Sequence, residues 1–409
     1  MIADTSAVRA PRENPAIARQ AIVDDKRAVV GYKFFEGPGK AANEDSILID
    51  ALADAGTDVL AGKKTVFIRC AFNDLANGHL DLLDASKVVL EIPTLPTKPS
   101  ADFTTERLLL DLARENGFRL AFDQSVLQPG FESWLPLASF IKIDMEGMKA
   151  DGAKAAVKSA QGNSKAQVVA DQIKSAEQYE LMKSFGVKLF QGNWFSKPAA
   201  VANKSIHPAQ ASVIQLINLV REEADVGEIE QLLKRDPTLA FKLLRFINSA
   251  GFGLSTEVTS FRHAVMILGL SKLFRWATLL MTVAKAGNVA PAAGTTAVVR
   301  GRLMELLAAE LMPRDECDNA FVVGVFSLLE TLVGVPLEKV LKEINLPQSV
   351  AKALLANEGS LATFLALTKA CESGDEAAFI SAAQALQLSN HQVNWAHLQA
   401  LMWADQLEG

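Results

Sequence analysis

The stretch DPTLAFKLLRFINSAGFGLSTEVTSFRHAVMILGL, Asp236 to Leu270, decides how the second half of the chain folds. Its apolar residues Leu239, Leu243, Phe246 and Ile247 recur at helical spacing and form one face of about three turns. Asp236-Pro237 marks the start, with an N-cap carboxylate followed by a proline at the first helical position. The run Asn248-Ser249-Ala250-Gly251 marks the end, because glycine supplies the backbone conformation that closes a helix. Phe252 to Leu254 turns the chain, and Ser260 caps a second helix, Phe261 to Leu268, that stops at Gly269. Spacing alone therefore predicts two packed helices joined by a tight corner.

Working outward toward the C-terminus, every signal is helical. The longest apolar stretch, Ala320 to Val335, is interrupted by Ser327, Glu330 and Thr331. It is shorter than the roughly 20 residues a membrane span needs, so it reads as a buried core helix. Gly287 to Thr296 reads as a flexible loop. Residues 374–409 read as two more helices, the last capped by Ser389 or Asn390, with Val393, Leu398, Leu401 and Met402 facing inward.

Working toward the N-terminus, the period changes. Strand signals fall at Ala28 to Phe35, Thr65 to Cys70, Val88 to Ile92, Arg119 to Phe122, Phe140 to Ile143, Val168 to Ala170 and Lys188 to Gln191. Helical text lies between them, at Asn43 to Gly56, Asn73 to Asn77, Thr104 to Asn116, Met148 to Ser159 and Ser175 to Phe185. The alanine-rich text before Ala28 gives no strand signal. Alternation at this spacing implies parallel βα units. Lys197 to Gln210, where strand signals cease, is the expected boundary, giving units of residues 1–203 and 204–409.

Composition sets the outer limits. The chain has 409 residues, 49% of them hydrophobic, enough for two sizeable cores. A net charge of −6 argues against a nucleic-acid binder, whose domain would carry a basic face. Cys70, Cys317 and Cys371 have no paired spacing, and the N-terminal text has no apolar signal core. A cytoplasmic protein with no membrane span is the expectation.

The opening stretch resembles the HDOD domain: a DP-x-L start, then K-LLR-x-INSA-x-FGL, then S-x-x-x-A-x-x-x-LG, in order over about thirty-five residues. That resemblance implies an all-helical fold related to HD-type metal phosphohydrolases, used to bind other signalling proteins. The metal-holding His-Asp position of such hydrolases falls at Val325 to Glu330, which contains neither residue. His391 and His397 are six apart, on different faces of one helix, and His263 is expected to pack with a hydrogen bond. The tryptophans at 194, 276, 395 and 403 are expected in the core. The resemblance places an interaction surface around Lys242, Arg245, Asn248 and Arg262.

The first half resembles EAL-type cyclic di-GMP phosphodiesterases. Gly31-Tyr32-Lys33-Phe34-Phe35 sits where that family has G-Y-E-A-L, and TVFIRC, VVLEIPT, RLAFDQ, FIKIDM, VVADQIKS and LFQGNWFSKP follow in family order. The implied fold is a modified TIM barrel, with its site at the C-terminal ends of the strands. About 200 residues is short for such a barrel, so a truncated one is expected. The family's chemistry needs two Mg²⁺ or Mn²⁺ ions on oxygen ligands. Here the signature glutamate becomes Lys33 and the ligand asparagine becomes Arg69. Glu91 and Asp123 are kept, while the second of the paired aspartates becomes Gln124. Lys142 and Asp144 match the I-K-x-D segment, Asp171 stands for a glutamate, and Gln191 matches the last strand. Two cations in place of two ligands repel a dication, and Glu91 and Asp123 become candidates to pair with Lys33 and Arg69. Gly37 falls where the family grips the nucleotide with an arginine.

The expectation is thus a truncated EAL-like βα barrel followed by an HDOD domain. It is expected to be no enzyme, to hold no metal and no cofactor, and to act as a signalling scaffold through protein contacts. The alternative is a receptor that binds cyclic di-GMP without cleaving it. A homodimer is compatible with both.

Overall fold

The computed structural model describes residues 17–36, 64–76, 79–99, 103–197, 208–247, 258, 260–283 and 290–408. Within them, eight strands close a barrel in sequence order. The strands are β1 (Ile17–Asp24), β2 (Val29–Glu36), β3 (Thr65–Arg69), β4 (Val88–Glu91), β5 (Arg119–Asp123), β6 (Ala138–Asp144), β7 (Gln167–Ile173) and β8 (Leu189–Gly192). From β2 to β8 every neighbour is parallel; β1 runs antiparallel to both β2 and β8. The barrel is therefore complete in strand number, and the expected truncation is corrected.

β1 is the element the alanine-rich reading missed. Its segment IARQAIVD alternates between a core face and a barrel-inward face, but two alanines and an arginine lower its β signal. Ile22 joins Phe67, Val89, Ala121, Phe140 and Val169 in the layer that fills the barrel interior. Ile17, Ala21 and Val23, on the opposite face, belong to a core that continues into the helical half. Helix Ser360–Ser373 packs on β1 there. The amide of Ala292 also donates to the carbonyl of Arg27 at 3.0 Å, and the Thr331 hydroxyl donates to the carbonyl of Ser196 at 3.1 Å. The helices thus cover the outer face of the one reversed strand.

The connecting helices fall where periodicity put them: Phe103–Glu115, Ala150–Asn163 and Ala176–Ser184, the last capped by the Ser175 hydroxyl accepting from Gln178 N. The expected helix at 43–56 lies outside the described residues, as do residues 198–207 of the expected boundary Lys197 to Gln210. The aromatic knot Phe72, Phe103, Phe122, Phe131 and Trp134 seals one side of the barrel, with Phe103 stacked on Trp134 at 5.0 Å.

In the second half, helix Pro237–Ile247 starts as expected, with Asp236 accepting from Leu239 N at 3.0 Å. Its predicted end at residues 248–251 lies outside the described residues. Ser260 accepts from His263 N at 3.2 Å, and the helix that follows runs from Phe261 to Val283 across a break at Gly269. Gly269, at φ +70° and ψ 165°, leaves the helical conformation, so the first helix ends there as expected and a second follows it at once to Val283. The loop expected at Gly287–Thr296 is corrected from residue 291 on. Pro291–Ala309 is one helix, with proline at its first turn. Gly294 lets it approach Thr282, where an added Cβ would come within 2.8 Å of the carbonyl oxygen.

Ala320–Val335 is buried as expected, but the single helix expected there is two, Arg314–Phe326 and Leu329–Val333. One described helix segment, Arg262–Thr282, is long and apolar enough to cross a membrane, and 56% of that window is buried in the fold. Trp194 and Trp276 are buried, whereas Trp395 is exposed, against expectation, on the outer face of helix Asn390–Glu408. His263 is also exposed rather than packed, because it follows the cap in the first turn of its helix.

Candidate functional site

Parallel strands deliver the side chains of their last residues to one rim. Register places Arg69 beside Glu91, Asp123 beside Lys142, and Asp144 beside Asp171. Lys33 on β2 lies opposite Gln20 on β1. All nine residues singled out for the barrel therefore come to the same mouth, and five of them join in one network.

That network is centred on Glu91 and Lys142, 7% and 5% exposed. Lys142 Nζ lies 2.6 Å from Glu91 Oε1 and 3.0 Å from Asp171 Oδ2. It also donates to Gln191 Oε1 at 2.6 Å, so three acceptors satisfy the three donors of one ammonium. Glu91 Oε2 takes Lys33 Nζ at 2.8 Å. Burial alone would raise the Glu91 carboxyl, but the charges of Lys142 and Lys33 pull it down to about 2. Burial opposes the charge on Lys142, and Glu91 and Asp171 more than reverse that, holding its ammonium above the usual lysine range.

The expected Lys33–Glu91 pair is thus present. Asp123 instead caps the turn that follows β5, with Oδ1 accepting from Ser125 N at 2.9 Å and Oδ2 accepting from the Thr94 hydroxyl. Gln124 accepts from the backbone amide of Asp144 at 2.8 Å, and Asp144 Oδ1 accepts from Glu146 N at 2.7 Å. These three fix the β5 and β6 loops. Arg69 is exposed at the rim. Gln20 was missed by sequence reading. Its Oε1 accepts from Gln191 Nε2 at 2.6 Å, which extends the network onto β1. The signal available was its inward parity with Ile22, hidden because β1 was not read as a strand.

The dication pair implied by the family resemblance does not fit this arrangement. Both Glu91 oxygens are occupied by ammonium groups, and Asp171 is shared with one of them. No group of three or more His, Cys, Asp or Glu side chains is placed to hold a metal among the described residues.

In the helical half, Lys242 is half-buried on helix Pro237–Ile247, while Arg262 is exposed and lies 3.3 Å from Glu230. Phe241 and Met266 are exposed nearby in sequence, at 66% and 60%. The Arg245 side chain and Asn248 lie outside the described residues. At the former His-Asp position, Ser327 accepts from Arg300, which also clamps Glu372 through Nε and Nη2, at 2.8 and 2.7 Å.

Comparison with known proteins adds four findings. Cyclic di-GMP phosphodiesterase CdgJ of Vibrio cholerae is 28% identical over 372 residues, covering 88% of this chain and 85% of that protein. The uncharacterized protein YuxH of Bacillus subtilis is 25% identical over 414 residues, covering 96% of this chain and 98% of that one. An EAL domain protein from Listeria monocytogenes is 16% identical, with a TM-score of 0.36 over 45% of this chain and 88% of that one. The first overturns the expectation that the chain is no enzyme. In a chain this similar to a named phosphodiesterase, counting replaced ligands does not establish inactivity. The HDOD domain model matches residues 206–343, which cover the helices from Pro208–Arg221 to Leu337–Lys342. Behind its eight-stranded barrel, the chain carries an HDOD domain.

Proposed function

We propose that the chain is a cyclic di-GMP signalling protein: the barrel mouth receives the nucleotide, and the HDOD half passes its state to a protein partner. The division follows residues 1–203 and 204–409. The observation that carries the reading is the match to the Vibrio cholerae phosphodiesterase over most of both chains, because it spans the mouth and the helices together. The mouth supplies suitable chemistry. Lys33 is a quarter exposed and Arg69 is exposed, so both put positive charge at the mouth, which suits a ligand that carries two phosphodiester anions. In the helical half, Phe241 and Met266 are exposed apolar side chains on two helices that pack together, each within four residues of a basic side chain, Lys242 or Arg262.

Calorimetry of the purified chain against cyclic di-GMP tests this, with the linear product resolved by chromatography from the same samples. Heat of binding is expected, and Lys33→Glu is expected to weaken it by about tenfold or more, because a charge reversal beside Glu91 repels the phosphate. An absence of heat at millimolar nucleotide would sink the reading.

A further inference from the structure

Strand β1 is where the barrel mouth and the helical half meet on opposite faces of one backbone. Gln20 faces inward and accepts from Gln191, the same side chain that holds Lys142. Arg19, its neighbour, faces outward and is 3% exposed. Its Nε donates to His397 Nε2 at 2.6 Å, on helix Asn390–Glu408. Two residues earlier, the Ile17 amide donates to Asn394 Oδ1 at 2.8 Å, one turn before His397. Arg19 also lies over the Tyr32 ring at 5.1 Å.

The chemistry of this contact is unusual for a structural lock. A buried guanidinium is costly unless a carboxylate compensates it. Among the described residues Arg19 forms no ion pair; its acceptor is a neutral imidazole and its other support is an aromatic face. His397, 1% exposed, is held neutral because burial and the neighbouring Arg19 charge push its pKa well below the usual histidine value. With Nε2 accepting, its proton sits on Nδ1. Such a contact holds only while β1 keeps its position. A small displacement of the strand leaves a buried cation without its acceptor. β1 is also the reversed strand of the barrel, paired with β8 over three residues, Ile22 to Asp24, all beyond Gln20.

We propose that β1 transmits nucleotide occupancy from the mouth to the helical half, with Gln20 as the positioning residue on the mouth side and the Arg19–His397 contact as the element it biases. The inference rests on the nucleotide reading above and goes beyond it by naming the route between the two halves. A phosphate that draws on Lys33 and Lys142 alters the Lys142–Gln191–Gln20 chain. The backbone of Gln20 is the backbone of Arg19, so the change reaches helix Asn390–Glu408 without crossing a loop.

Linkage makes the test reciprocal: if the nucleotide biases the contact, breaking the contact changes nucleotide affinity by the same factor. Calorimetry with cyclic di-GMP is carried out on the full chain and on His397→Ala, His397→Gln and Thr331→Val. His397→Ala removes the acceptor and is expected to change Kd by about fivefold or more. His397→Gln restores a side-chain acceptor and is expected to return Kd toward the parent value. Thr331→Val removes a contact between the halves away from β1 and is expected to leave Kd unchanged. If His397→Ala does not fold by circular dichroism, Asn394→Ala takes its place, since it removes the side-chain acceptor of the Ile17 amide and leaves the Arg19–His397 pair its own partners. Nucleotide binding with one Kd across all variants would overturn the β1 route while leaving the nucleotide reading intact. No binding to the parent chain would overturn both.

Discussion

Glu91→Gln is expected to destabilise the chain by about 3 kcal/mol, measured by urea unfolding at neutral pH. The substitution keeps the shape of the side chain and removes its charge. Lys142 then remains 5% exposed with a single carboxylate, Asp171, at 3.0 Å. Breaking one partner of a buried pair costs more than the pair contributes, because the ammonium left behind has lost its hydration as well as its counter-ion. Lys33→Ala provides the contrast. Lys33 is a quarter exposed, and Glu91 keeps Lys142 at 2.6 Å, so about 1 kcal/mol or less is expected.

The acid limb of the stability curve tests the same pair independently. Glu91 sits at about 2 in the folded chain against an ordinary 4.5, so the unfolded chain binds its proton first. Its contribution is present above pH 4.5 and is lost as pH falls from there toward 2. That displacement corresponds to about 3 kcal/mol, which the glutamine variant lacks. The two unfolding curves should therefore converge below pH 3. Parallel curves down to that pH would show that Glu91 is not the buried partner of Lys142.

How much of this was legible in the text of the chain depends on whether a residue acts through its neighbours in sequence or through the fold. Helices and parallel strands were legible because their apolar residues repeat locally. The Asp236 and Ser260 caps were legible for the same reason. The mouth was legible only through resemblance, since Lys33, Glu91, Lys142, Asp171 and Gln191 are brought together by barrel closure alone. What escaped was β1, whose outward Ala21 and Arg19 give little strand signal until helices cover them. With β1 went Gln20 and Arg19, and with them the partner of His397. That histidine could be assigned to a helix face by spacing, but its partner lies 378 residues away in the chain. The inference from lost ligands to lost activity failed differently. It treated a list of positions as a mechanism, and a relative named as a phosphodiesterase overturned it.

Gly324→Ala is expected to cost about 3 kcal/mol or more, although alanine is the better helix former and the site lies inside helix Arg314–Phe326. The reason is a backbone crossing. A Cβ at Gly324 would lie 2.6 Å from the carbonyl carbon and oxygen of Arg300 and from the Cα of Gly301. A Cβ at Gly301 would meet Val325 Cγ2 at 2.6 Å and the Phe321 carbonyl oxygen at 3.0 Å. The two glycines let helices Pro291–Ala309 and Arg314–Phe326 touch backbone to backbone, and no rotamer change can relieve an added methyl there. The crossing also sets Arg300 within reach of Ser327 and Glu372, and so fixes helix Ser360–Ser373, which packs on β1. Gly162→Ala is the matched control: it lies in helix Ala150–Asn163 with nothing within 4 Å of the new methyl. There the ordinary propensity gain of about 0.5–1 kcal/mol is expected to stabilise the chain. Urea unfolding of both variants separates the effects. Opposite signs support the crossing, whereas a neutral or stabilising Gly324→Ala would mean that the two helices have room to spare.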